Sequence, residues 1–343
     1  MSKRTPRVNQ LRDIEPRKVD WLWPEKLARG RISLIAGDPG IGKSWLSLDI
    51  ASIVSRGGQW PDGTSCDPGR VILINCEDDF KDTVRPRLDL LGANLENIYE
   101  LEGYEEQGYI HQVTFEDFDI FEQVIDSHMP SLIIVDPVSA YFGQNTDNYR
   151  DTSVRNALRP LAEMIMENGV ALLLVAHLNK SIDQQGLYRV SGSIQFSGAA
   201  RTTYLVTIDP KEPERRLMVC AKNNLGPARF GHAYSIDPDS DQPIRWEPEP
   251  LTERDLESLL PGGMRKDEDT EEISKYLKDE ASKNRGVLRP SDVKKSMAEG
   301  GYQWSSVQRA RRHAGFTAVN KGEAWLWVSP DTPDAGPWEE VKE

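Results

Sequence analysis

An α/β fold with a mostly parallel, twisted sheet flanked by helices is predicted for the larger part of this chain, on three observations. Short β-branched apolar runs alternate with helical stretches. The run at 131–135 is free of charge up to Asp136, as a strand buried on both faces is. The first of them leads through a glycine-rich turn straight into a helix. The runs lie at 31–36, 70–75, 131–135, 170–176, 202–209 and 217–221. Between them, residues 152–167 put Val154, Leu158, Leu161, Ile165 and Met166 on one helical face, and Gly169 supplies the stop. Residues 230–236 and 244–247 read as a strand pair that adds antiparallel character.

At 343 residues the natural expectation is one large domain and a small one. No apolar run approaches the roughly 18 residues needed to span a bilayer. The start, Met1-Ser-Lys-Arg-Thr-Pro-Arg7, does not read as a signal peptide, so a cytoplasmic protein without a membrane partner is expected. Cys66, Cys76 and Cys220 have neither metal-ligand nor disulfide spacing and are read as reduced side chains. The net charge is −13, so any nucleic-acid contact must rely on local patches or loops. Residues 1–20, with Lys3, Arg4, Arg7, Arg12, Arg17 and Lys18, read as a mobile basic arm, either solvated or packed on a neighbouring subunit. The α/β domain covers 21–250, a charged linker with Pro261-Gly-Gly263 covers 251–268, and a second domain covers 269–330. The acidic tail 331–343 is expected to be disordered.

Gly37, Asp38, Pro39, Gly40, Ile41, Gly42, Lys43 and Ser44 form a complete phosphate-binding loop, and Trp45 continues into the helix behind it. Glycines let backbone N–H groups turn inward around an anion. Lys43 reaches the β- and γ-phosphates, and the Ser44 hydroxyl is a Mg²⁺ ligand. The run ending at Asp136 puts a second carboxylate at a strand tip, placed to hold the magnesium through a water. The run ending at Asn75 continues into Cys76-Glu-Asp-Asp79. Glu77 sits where a general base for water can face the γ-phosphate; Asp78 and Asp79 are alternatives.

The order of strand tips carrying Lys43-Ser44, Glu77, Asp136 and His177 resembles the RecA-type ATPase core. Within it the chain resembles plasmid RepA-type hexameric replicative helicases and related phage and plasmid replication ATPases. The likeness covers roughly residues 20–250. It is carried also by Trp21-Leu-Trp-Pro24, Asp136-Pro-Val-Ser-Ala-Tyr-Phe-Gly143 and Ala176-His-Leu-Asn-Lys180. Ser191-Gly-Ser-Ile-Gln-Phe-Ser-Gly-Ala-Ala-Arg201 and Ala221-Lys-Asn-Asn-Leu-Gly226 complete it. The resemblance implies ATP as the nucleotide and His177 as a γ-phosphate sensor. It implies that the segment 179–195 is a loop for single-stranded DNA, with Lys180 and Arg189 on phosphates and Tyr188 on a base. It further implies that Arg201, assisted by Lys222, reaches the nucleotide of a neighbouring copy in a homo-oligomer, a hexamer in this family. DnaB-like and RadA-like relatives present a Lys and then an Arg at this point; here the second position is Asn224, which moves the weight to Arg201.

Residues 269–329 read as three helices and a hairpin, a small winged helix-turn-helix. Its helices are placed at about 270–282, from Pro290 to Gly300, and at 306–314 behind a Ser305 cap. Gln308, Arg309, Arg311 and Arg312 lie on the third helix, and duplex or forked DNA is the expected partner, with protein docking as the alternative. Trp325 and Trp327 alternate on the last strand and are both assigned to the core. The combined expectation is an ATP-hydrolysing oligomeric motor on single-stranded DNA in replication, with other replication proteins as further partners. The alternatives are a RecA-like loader or regulatory ATPase that does not unwind DNA, and a nucleotide-sensing DNA-binding regulator.

Overall fold

The computed structural model describes residues 8–143, 151–178, 194–210, 212–226, 230–251, 256, 263–300, 302, 304–321 and 324–330. The chain divides into two compact units, Met1–Leu256 and Glu257–Glu343. In the first, the apolar runs become β1 (Ile32–Gly37), β2 (Val71–Asn75), β4 (Leu132–Asp136), β5 (Ala171–His177) and β6 (Thr202–Ile208), with a short edge strand β3 (Ile98–Glu100). β7 (Arg215–Asn223), β8 (Gly231–Ile236) and β9 (Ile244–Trp246) follow. Among the described residues these make one nine-stranded sheet in the order β9-β8-β7-β6-β1-β5-β4-β2-β3. The strands from β6 to β3 are parallel, and β7 to β9 extend the sheet antiparallel. The helices are α1 (Lys43–Arg56), α2 (Arg85–Leu90), α3 (Phe118–His128), α4 (Asp151–Asn168) and α5 (Ile194–Ala199).

Continuous apolar strands have to be covered on both sides, and here they are. Val71, Leu73, Leu132, Ile134, Leu173 and Val175 pack on Leu46, Ile50 and Val54 of α1. Their alternates Ile72, Ile74, Ile133, Val135, Leu172 and Leu174 pack on Leu158, Leu161 and Ile165 of α4. A one-residue slip would exchange the two sets, so the strand tips are held in fixed register. Met166, predicted on the inner face of its helix, is exposed instead.

The Trp21-Leu-Trp-Pro24 segment is an anchor. Trp23 stacks on Trp60 with ring centroids 4.6 Å apart and meets the edge of Trp246 at 6.0 Å. Its Nε1 donates to Asp62, which also pairs with Lys26 at 2.7 Å. Burial and the Lys26 charge push His232, inside this aromatic group, down to about 4. Burial pushes Asp49 on α1 up to about 6, against the hydrogen bond that Trp246 Nε1 donates to it.

The two shifts act oppositely on stability. A depressed histidine leaves the unfolded chain holding more protons, so stability is lost as pH falls from about 6.5 to 4. A raised carboxyl leaves the folded chain holding more protons, so stability is lost as pH rises from about 4 to 6. Asp49→Asn, which keeps an acceptor for Trp246, is therefore expected to stabilise the protein at pH 7 by on the order of 2 kcal/mol. It is also expected to uncover the histidine slope between pH 4 and 6. Thermal unfolding midpoints from pH 4 to 8 check both, and an unchanged midpoint at pH 7 contradicts the account.

The second unit contains α6 (Gly263–Lys283), β10 (Val287–Leu288), α7 (Pro290–Glu299), α8 (Trp304–His313), β11 (Thr317–Lys321) and β12 (Ala324–Val328). Its sheet runs β10-β12-β11, all antiparallel. Ile273, Leu277, Val293, Val307, Phe316 and Trp327 form its core. Three expectations are corrected here. The first helix begins at Gly263, inside the predicted 251–268 linker, because the charged run 264–272 continues its helical pattern. The third begins at Trp304, ahead of the predicted Ser305 cap. Trp325, one residue from the strand's start, is exposed, although Trp327 on the same face of the strand is buried against Trp304 and Arg311. No helix among the described residues is long and apolar enough to cross a membrane. The tail 331–343 lies outside the described residues.

Candidate active site

The C-terminal tips of β1, β2, β4 and β5 converge at one edge of the sheet. His177 pairs with Gly37 and Asp136 with Asn75, so the ends of these strands stand level. From Gly37 the chain turns through the phosphate-binding loop into α1, whose N-cap is Gly42 at φ +93°. That conformation favours glycine, and a Cβ there would stand 2.2 Å from Ile236 Cδ1. The loop's backbone N–H groups and the N-terminus of α1 together make the anion site.

Lys43 is 5% exposed. Its Nζ donates to the Asp38 carbonyl at 2.9 Å and lies 3.1 Å from His177 Nδ1. An ammonium has donors alone, so Nδ1 accepts and the ring proton sits on Nε2. Nε2 in turn faces the Glu77 carboxylate at 3.5 Å. Asn75 Oδ1 accepts from the N–H groups of Glu77 and Asp78 at 2.9 and 3.1 Å, which fixes the turn that presents Glu77. Asp78 is engaged elsewhere, in an ion pair with Arg87 at 3.0 Å. Asp79 caps the next turn by accepting from Lys81 and Asp82. Of the three candidate acids, Glu77 is the one beside Lys43 and His177.

Burial pushes Lys43 below its ordinary range, against the pull of Asp136, Glu77 and Asp38. Burial pushes Asp136 up, against a hydrogen bond from Ser44 and the Lys43 charge. Both groups are thus short of solvation, which a phosphate and a cation would restore. A hydroxyl beside one carboxylate suits Mg²⁺, which keeps waters and phosphate oxygens for the rest of its shell. Among the described residues no cluster of three or more His, Cys, Asp or Glu could cage a metal on its own. The donor set fits a magnesium held jointly with a nucleotide.

Other side chains around the loop escaped the sequence reading. Ile236 and Arg216 flank Gly42 from β8 and β7, and Arg216 Nε is buried without a hydrogen-bond partner. Arg87 stacks on Trp45, its Cζ 5.2 Å from the ring centroid. Their spacing from the loop in sequence carries no signal; the antiparallel extension and α2 bring them there.

Arg201 and Lys222 are elsewhere. Thr202 pairs with Ser33 and Val206 with Gly37, so Arg201 stands five residues, roughly 17 Å, from the loop edge. Lys222, paired to Thr203, donates to the Ala200 carbonyl at 2.8 Å at that same far edge. Lys180, Tyr188 and Arg189 lie outside the described residues. In the second unit Arg309 is half-buried and Arg312 exposed on α8. Arg311 corrects its expectation: it is 6% exposed and packs on Trp327, its Cζ 5.5 Å from the ring, so it serves the core and not a DNA surface.

A parallel sheet with a phosphate loop at β1, carboxylates at β2 and β4 and a histidine at β5 defines a RecA-like P-loop ATPase. The chain belongs to the AAA domain family, which it matches over residues 2–183. It is similar to the DNA repair protein RadA of Mycobacterium tuberculosis (strain ATCC 25618 / H37Rv), with 30% identity over 155 residues, 44% of this chain and 28% of that protein. It is also similar to the DNA repair protein RadA of Bacillus subtilis (strain 168), with 26% identity over 206 residues, 58% of this chain and 38% of that protein. The chain thus spans well under half the length of these relatives. Among solved structures it is similar to the ATPase domain of G40P, with a TM-score of 0.45 and 15% identity, covering 64% of this chain and 89% of that one.

Proposed function

We propose that the protein is an ATP-hydrolysing, self-associating motor that acts on single-stranded DNA in replication, with a hexamer as its working form. The observation that carries this reading is the division of cations between two edges. Lys43 stands at the phosphate loop, while Arg201 stands roughly 17 Å along the sheet from Gly37 and Lys222, paired to Thr203, roughly 10 Å, both towards the opposite strand ends. They serve a triphosphate only across an interface between copies.

In this reading Lys43 neutralises the β- and γ-phosphates, and Ser44 and Asp136 hold Mg²⁺. Glu77 takes a proton from the attacking water. His177, hydrogen-bonded to Lys43 and beside Glu77, transmits the state of the γ-phosphate to the segment that follows it. Lys180, Tyr188 and Arg189 in that segment bind the strand. The helix–strand–helix–helix–strand–strand order of the second unit supports a winged helix that meets duplex or forked DNA through Arg309 and Arg312.

ATP turnover is expected to rise severalfold with added single-stranded oligonucleotide, together with a six-fold mass by native mass spectrometry. A fully active monomer rules the reading out. The similarity to RadA, a DNA repair protein by name, favours a second reading, an ATPase that loads or regulates DNA-bound proteins. Strand displacement on forked DNA separates them: turnover without displacement supports the second.

A further inference from the structure

In the second unit β11 and β12 form a hairpin that pairs Ala318 with Trp327 and Asn320 with Trp325. Residues directly opposite in an antiparallel pair share a face, so these four side chains lie on one side of the ribbon. Trp327 belongs to the core of the unit, and Ala318 packs against it. Trp327 stacks on Trp304 with ring centroids 5.5 Å apart, and the Arg311 guanidinium lies 5.5 Å from its ring. Towards the turn the same face changes character. Trp325 is 48% exposed, and Asn320 across from it is exposed as well.

A lone exposed apolar side chain is ordinary on a protein surface. Trp325 differs in three respects. Among the described residues it is the only tryptophan that is exposed. Its backbone is held by strand pairing, so less freedom is lost when the side chain takes a partner. A carboxamide, with one acceptor oxygen and two donor hydrogens, stands directly opposite it. A flat apolar ring beside an amide matches a nucleobase, which is apolar on its faces and polar at its edge. The charge of the unit fits the same partner. Residues 285–321 carry eight Lys and Arg against two Asp and Glu, in a chain of net charge −13. Arg311 is spent in the core, but Arg312 on α8 and Lys294 and Lys295 on α7 are exposed. Lys294 Nζ lies 5.8 Å from the Trp304 ring, so a cation borders the aromatic stack itself. Such cations suit phosphates.

We propose that the tip of this hairpin receives the first unpaired base of forked DNA, with Trp325 stacked on its face and Asn320 hydrogen-bonded to its edge. Within a continuous duplex each base is covered on both faces by its neighbours, so an indole finds nothing to stack on. Where the duplex opens, the first unpaired base has a free face and a free edge. The proposal rests on the reading of the second unit as a winged helix that meets DNA. It adds a group that tells an open junction from a continuous duplex.

The test uses the full chain and two DNA probes, a fork and a relaxed, covalently closed circle that offers no open base. Trp325→Ala is expected to weaken binding to the fork about ten-fold and to leave binding to the circle unchanged. Trp325→Phe, which keeps a ring, is expected to restore most of that loss. A fork with 5-iodouracil at the first unpaired position is expected to crosslink to Trp325 on irradiation. Fork binding that is indifferent to Trp325→Ala overturns the proposal, and so does an equal loss on both probes or a crosslink confined to residues outside the hairpin. Arg312→Ala reads the duplex contact separately and is expected to weaken both probes alike. If it does so while Trp325→Ala changes neither, the winged-helix reading stands and the stacking falls. If neither variant alters binding to either probe, both fall together.

Discussion

Lys43→Ala is expected to lower ATP turnover by on the order of 10³-fold, because it removes the cation aimed at the transferring phosphoryl group. Lys43 is buried, and its ammonium bridges the Asp38 carbonyl and His177 Nδ1. Alanine therefore deletes a charge and frees His177 and Glu77 from their resting partner. It also leaves Asp136 without the nearest positive charge, so that carboxyl, already raised by burial, is pushed further up. The fold has less to lose, since Lys43 is held against a desolvation cost and its removal relieves that cost. The expected pattern is near-complete loss of phosphate release with an unfolding midpoint within a few degrees of the parent. Turnover within ten-fold of the parent would remove Lys43 from the reaction.

Arg201→Ala is expected to cost a comparable factor, about 10³-fold in the assembled protein, with little change in nucleotide affinity. Its position gives the reason: it stands roughly 17 Å along the sheet from its own Gly37, too far to touch a nucleotide bound there. The decisive form of the test is mixing. Lys43→Ala and Arg201→Ala proteins are each inactive in this account. A mixed assembly contains interfaces where an intact Lys43 faces an intact Arg201, so activity returns. Two inactive variants that stay inactive when mixed, although they co-assemble, would show that the arginine acts within its own chain or not at all.

Much of the fold is legible in the chain because two signals are local. Strand-like runs of five to eight residues, bounded by turn residues, give β1, β2, β4, β5 and β6 to within about two residues. Gly37 to Ser44 gives the loop, since a left-handed N-cap at Gly42 has to be written in glycine. What escaped lacked such a signal. β3 is three residues long, and α3 begins in a polar turn at Asp117. Met166, Trp325 and Arg311 were assigned by periodicity, which gives the side of an element but not how far its cover extends. Arg311 shows the cost of counting charge along a helix: the middle of three arginines lies on Trp327, inside the unit.

By itself the sequence determined the strand–loop–helix unit, the residues at each strand tip and the change of character near residue 260. These depend on neighbours in the chain, and backbone geometry acts over a few residues. Tertiary structure decided which tips meet. It joined Lys43 to His177 across 134 residues, set Glu77 beside that histidine while Asp78 pairs with Arg87, and brought Ile236 and Arg216 to Gly42. It sent Arg201 and Lys222 to the far edge. Strand order and register fix such distances, and they are set by burial of both sheet faces at once, a condition that no local stretch of sequence contains.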